Sequence, residues 1–202
     1  MKYFCAFCVY FFLIGCSPKL TASYKKLSKP EKKWVIFHPF KAKKAAFLSN
    51  AALEVTDSIK QLGLIGKDKN GGRLDAFKHG FWMARLSQKI GKKAALRLGK
   101  AHEKGNYLDF KNGALEDGQL PDKPSSDMDL YNNNVGVTLG NKYKSYTKKK
   151  TVFLLLSALS NGKLKMLKKD DKSNFLTCDG KIIPPDSLLG KWENKKCLTP
   201  TY

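Results

Sequence analysis

Residues 71–90, GGRLDAFKHGFWMARLSQKI, decide how the rest of the chain is read. Gly71 and Gly72 break the chain before this stretch and Gly91 can end a helix behind it. At 100° per residue, Trp82, Met83, Leu86 and Ile90 fall on one arc, with Asp75 and His79 in its middle. Phe77, Phe81 and Ala84 form a second apolar arc. A helix apolar on two sides is a central helix rather than a peripheral one. Asp75 and His79, four residues apart and therefore neighbours, are thus expected inside a buried stripe. Buried charge is costly unless it is paired, hydrogen-bonded or bound to a metal. Partners for this pair have to come from other segments.

The flanking segments carry the same helical period. Helices are expected over 31–37, 40–62, 92–104 and 127–141, with a last one capped by Ser145 and running through Leu159. The stretch 67–72 reads as a turn, 105–126 as a long polar loop, and 170–202 as a loop-like tail with one short strand at 181–183. The expected fold is all-α: a compact multi-helix bundle around the central helix at about 72–90, with a loop-rich C-terminal tail. The expected divisions are a signal peptide at 1–15, a tether at 16–30, a helical domain at 31–168 and the tail at 169–202.

Residues 1–16, MKYFCAFCVYFFLIGC, place one lysine before an apolar run too short to span a bilayer, which fits a signal peptide. Leu13-Ile14-Gly15-Cys16 resembles a bacterial lipobox. That resemblance implies cleavage before Cys16, a diacylglycerol on its sulfur and a protein tethered to a membrane on the exported side of the cell envelope. Cys5 and Cys8 would leave with the signal, so Cys178 and Cys197 remain and are expected to form one disulfide. The chain carries 38 Lys and Arg against 17 Asp and Glu, a net charge of +21. Such a balance favours anionic lipid or cell-wall polymer as partner. No recognition motif accompanies the charge, which argues against specific nucleic-acid binding.

Three helices place polar groups on or beside an apolar stripe: Asp75 with His79, His102 with Glu103, and Asp129 with Asn132 and Asn133. The helical period turns Glu103 well away from the apolar face of its own helix. Convergence of such groups is how helical bundles build metal and catalytic sites. These seven residues are the candidate catalytic set, and His79, His102 and Asp129 the candidate ligands of a divalent ion. Asp75 or Asp129 would supply the carboxylate ligand or orient a histidine. Lys78, Arg85 and Lys89 read as a solvated strip. Two functions stay open. One is metal-assisted hydrolysis of a lipid or envelope phosphoester. The other is a non-catalytic envelope binding or structural lipoprotein, in which the same residues are core hydrogen bonds.

Three motifs, Asp75-Ala-Phe-Lys-His79-Gly-Phe-Trp82, Ala101-His102-Glu103 and Met128-Asp129-Leu-Tyr-Asn132-Asn133-Asn-Val-Gly136, resemble the signature of an uncharacterised bacterial domain family. Its pattern is D-A-F-R-H-A-x-W, A-H-E and M-D-x-x-N-N-x-x-G, and the resemblance spans roughly 34–167. It groups the three motifs but implies no reaction, since the family is of unknown function. Lys78 stands where the family commonly has Arg, and Gly80 where it has Ala. Those departures imply a weaker role for a guanidinium at 78 and a looser helix contact at 80.

Overall fold

The computed structural model describes residues 24–115 and 118–202. The expected signal peptide and Cys16 lie outside these residues. No described helix is long and apolar enough to cross a membrane. Helix α1 (Lys29–Phe37) starts at a capping box, in which the Ser28 side chain accepts from the Glu31 N–H and the Glu31 carboxylate accepts from the Ser28 N–H. Pro39 ends α1 and opens α2 (Pro39–Gln61). The central helix α3 (Arg73–Ile90) stops at Gly91, whose φ of 90° suits glycine. Helices α4 (Lys92–Asn112), α5 (Lys123–Lys142) and α6 (Lys148–Ser160) follow. Asp122 caps α5 and Thr147 caps α6, each accepting a backbone N–H from the first turn.

The two arcs read around α3 become the two halves of the core. On one side Leu74, Phe77, Phe81 and Ala84 pack with Ile59, Leu155, Leu159 and Leu164. On the other, Met83, Leu86 and Ile90 pack with Trp34, Leu48, Ala95, Leu98 and Val137. The result is an all-α bundle in which α3 touches α2, α4, α5 and α6.

The seam between α3 and α5 is the closest helix contact. A Cβ built on Gly136 would run into the Gly80 carbonyl, and one on Gly140 into the Ala84 carbonyl. Two backbones therefore meet with no side chain between them. Gly80 is also close to α6, where a Cβ on it would meet Leu155 at 3.0 Å. The Ser87 hydroxyl donates to the Val137 carbonyl at 3.1 Å further along the same seam.

Several expectations need correction. Helix α4 does not stop at 104 but continues to Asn112. Gly105, read as the start of a loop, sits inside the helix because a Cβ there would meet the Ser28 hydroxyl at 2.5 Å. The last helix is capped by Thr147, not Ser145. The short strands are β1 (Lys165–Leu167) and β2 (Leu198–Pro200), paired antiparallel with Met166 opposite Thr199. In the stretch 181–183, Ile182 makes only an isolated bridge to Leu176. The 165–200 pairing joins distant segments and left no local alternation to read.

The tail is packed onto the bundle. The Cys178–Cys197 disulfide is formed. Beside it Lys196 makes a buried ion pair at 2.6 Å with Asp122, the cap of α5. The Thr201 hydroxyl donates to the Leu159 carbonyl at 2.6 Å.

Gly136→Ala should lower unfolding stability by about 1–3 kcal/mol, the usual cost of forcing extra volume into a packed contact. Urea denaturation of the variant against wild type measures it. An unchanged midpoint would show that the two helices can part without cost.

Candidate functional site

Asp75 lies in the first turn of α3, where the positive end of the helix dipole favours a carboxylate. Its Oδ2 accepts the Gly71 N–H at 2.8 Å, and its Oδ1 lies 2.9 Å from the Lys78 ammonium. Gly71 has φ +81°, and a Cβ on it would meet Leu167 Cδ1 at 2.6 Å. Glycine is therefore required at the point that aims Asp75.

One turn further on, His79 turns its Nε2 towards two carboxylates: 3.3 Å from Asp129 Oδ1 and 3.6 Å from Asp75 Oδ1. Asp129 arrives from α5, two turns before Gly136, so the tight seam sets how close it comes. All three groups are buried. One ligand atom from each of Asp75, His79 and Asp129 can be chosen so that all lie within 4.8 Å of one another. They line a chamber of about 40 Å³, shared with Lys78 and with Gln119, Pro121 and Ser125 of the α4–α5 connection and the α5 N-terminus. A volume of that size takes one or two waters or an ion.

The trio thus differs from the expected metal set by one residue, with Asp75 in place of His102. The His102 ring is close, its centroid 6.2 Å from that of His79, but its Nδ1 faces Glu31 Oε1 at 3.0 Å. Glu31 went unnoticed as a site residue, although Ser28-Lys-Pro-Glu31 is a legible capping-box pattern. Burial would raise its pKa. The hydrogen bond and charge of His102, with the Ser28 bonds, outweigh burial and bring it down from 4.5 to about 2.

Glu103 does not point away from the packing but is buried between α4 and α5. Its Oε2 accepts the Ser126 hydroxyl at 2.9 Å. Asn132 bonds both the N–H and the carbonyl of Lys165 at 2.9 Å, acting as a strand partner for β1. Asn133 is buried, with no hydrogen-bond partner for its side chain among the described residues. Its Nδ2 would lie 3.2 Å from a Cβ placed on Gly99 of α4. Lys78, read as solvated, is only 18% exposed and belongs to the site through Asp75.

Two carboxylate oxygens and an imidazole nitrogen suit a divalent ion such as manganese or zinc. Three protein donors beside an open chamber leave coordination positions for water or substrate.

A helical domain organised on a buried Asp–His–Asp group is the class that fold and site define together. The chain belongs to the family described as Domain of unknown function (DUF6973), whose model matches residues 32–163. No curated protein and no solved structure matches the chain.

The Glu31 carboxyl has a folded pKa below its unfolded value, so its contribution to stability is full above about pH 4.5 and drains away as pH falls towards 2. Glu31→Gln should therefore be less stable than wild type at pH 7, by roughly 1–2 kcal/mol once screening at this partly exposed group is allowed for. The gap should be clearly narrower at pH 2.5 and close only below about pH 2. Urea midpoints at pH 7, 4.5 and 2.5 give the comparison, and a gap that does not narrow would refute the assignment.

Proposed function

We propose that Asp75, His79 and Asp129 bind one divalent cation, and that the protein is a hydrolase of lipid or cell-envelope phosphoesters. The observation that carries this reading is the convergence of three buried donor atoms within 4.8 Å beside a small open chamber. A bound metal would polarise the phosphoryl oxygens and generate hydroxide from a coordinated water. Lys78, at the chamber wall, would offset the charge of the phosphoester, and the +21 net charge would draw anionic substrate to the surface. Gly71 already aims Asp75, and an incoming ion would take the place of the Lys78 ammonium at its Oδ1. Attachment through Cys16 would keep the protein at a membrane on the exported side, where such substrates lie.

One feature favours the alternative, a non-catalytic envelope lipoprotein. The Lys78–Asp75 ion pair and the Asp129–His79 contact already offset much of the buried charge, as a purely structural network would.

Elemental analysis and manganese titration of the purified protein separate the two. The hydrolase reading requires one metal per chain. Asp129→Asn and His79→Ala, shown by circular dichroism to stay folded, should weaken that binding at least tenfold. Hydrolysis of bis(p-nitrophenyl) phosphate should cease with a chelator and return with the metal. No metal bound after zinc, manganese and magnesium have each been supplied would overturn this reading.

The anchor is tested separately. Cys16→Ser should move the protein from the membrane fraction to the soluble one. If a variant with its signal removed stays with the membrane, the basic surface rather than a lipid holds it.

A further inference from the structure

Helices α1 and α2 meet at His38–Pro39, and that corner is firmly held. The Trp34 indole N–H donates to the Ala94 carbonyl of α4 at 3.1 Å. The His38 ring stacks on Trp34 at 4.6 Å, and its Nδ1 lies 2.9 Å from the Trp34 carbonyl. The residues around the corner nevertheless turn large apolar side chains to solvent. Phe40 is 92% exposed, Phe37 and Phe47 are each 70% exposed, and Ile36 is 66% exposed. At 100° per residue, Phe40, Lys43, Lys44 and Phe47 share one face of α2, while the buried Ala45, Leu48, Ala52 and Ile59 lie on a different one. Lys33, Lys41, Lys43 and Lys44 are exposed as well, and none of them enters an ion pair among the described residues. The stretch 24–53 holds eight lysines and a single acid, Glu31, which faces His102.

From this juxtaposition we infer that the α1–α2 corner is a docking face for an anionic lipid bilayer. Phe37, Phe40 and Phe47 enter the head-group region, and Lys41, Lys43 and Lys44 meet the lipid phosphates. Apolar side chains left in water mark an interaction face when they are grouped. A fluid bilayer accepts protruding rings without a complementary pocket. Lysine stems lie along apolar surface while their ammoniums stay at the polar level, so both residue types can work from one face. Each lysine near an anionic membrane adds attraction, and no neighbouring acid cancels it here. The inference needs neither a metal in the Asp–His–Asp centre nor a lipid on Cys16. With a lipid there, the chain from Cys16 to Lys29 spans at most about 45 Å, so anchor and corner can meet the same bilayer. Salt weakens a face held by charge. The corner would therefore set how an anchored protein sits rather than replace the anchor.

The test is sedimentation with vesicles of phosphatidylcholine, alone or with about one-third phosphatidylglycerol. It uses the chain from residue 16 onward with Cys16→Ser, which carries no lipid and keeps every described residue. Binding to the anionic vesicles should be at least tenfold tighter, and it should fall at least tenfold between about 50 and 500 mM salt. Phe40→Ser with Phe47→Ser should weaken it at least fivefold, and so should Lys43→Gln with Lys44→Gln. All four side chains are exposed, so circular dichroism should show an unchanged fold. Lys148→Gln with Lys149→Gln removes the same charge at the start of α6 and should leave binding within twofold. Equal losses from the two lysine pairs would show that only net charge is sensed and would overturn the inference. Full binding without Phe40 and Phe47 would overturn it too. A single-stranded oligonucleotide bound more tightly than the vesicles, with the same dependence on Phe40 and Phe47, would overturn it in favour of nucleic acid.

Discussion

The contact between the backbones of α3 and α5 is the constraint on which the rest of the structure depends. Gly136 and Gly140 leave no side chain between the helices, and the carbonyls of Gly80 and Ala84 occupy the space. Packed protein surfaces deform little, so such a contact fixes a distance rather than a range. His79 is the residue before Gly80, and Asp129 precedes Gly136 by two helical turns on the same side of α5. The 3.3 Å between His79 and Asp129 is therefore set by glycines that carry no chemistry themselves. A larger residue in the seam would move a carboxylate away from an imidazole without altering either.

Charge is handled with the same economy of parts. Asp75 receives a backbone N–H from Gly71, an ammonium from Lys78 and a place at the positive end of α3. A few ångströms away, Glu31 and His102 form a second acid–imidazole pair, less buried than the first. Trp82 packs beside both pairs, its ring edge-on to both imidazoles, with centroids 6.3 Å from His79 and 5.4 Å from His102, while the two imidazoles lie 6.2 Å from each other. The capping box of α1 thus does two jobs. It satisfies the start of that helix and it holds the His102 ring beside His79.

Much of this was legible in the residues. The two apolar arcs of α3 became the two halves of the core because a 3.6-residue period admits few other arrangements. Asp75 and His79, four apart on an apolar stripe, were bound to be buried neighbours. Other features were hidden for physical reasons. Gly105 looks like a breaker, and only the position of Ser28 shows why a helix passes through it. Glu103 faces away from the apolar stripe of α4, yet Ser126 of α5 covers it. Lys78 is one of many lysines, and nothing local marks it as the one that meets a buried carboxylate. Asn132 pairs with a strand that begins more than thirty residues later, and no periodicity reports such a partner.

Gly71 aims Asp75 through its N–H, but its own carbonyl accepts the Leu167 N–H at 2.7 Å, and the Leu167 side chain occupies the space beside its Cα. Leu167 in turn lies in β1, whose partner β2 comes from a segment beyond residue 197. The family match ends at residue 163, so the segment that steadies the loop before α3 lies beyond it. A polypeptide is made from its N-terminus. The carboxylate at position 75 therefore waits for the paired segments 165–167 and 198–200 before its cradle is braced. A chain that ends before residue 165 has every donor of the trio but not the strand that steadies the loop aiming Asp75, so the family's own segment does not by itself brace the centre.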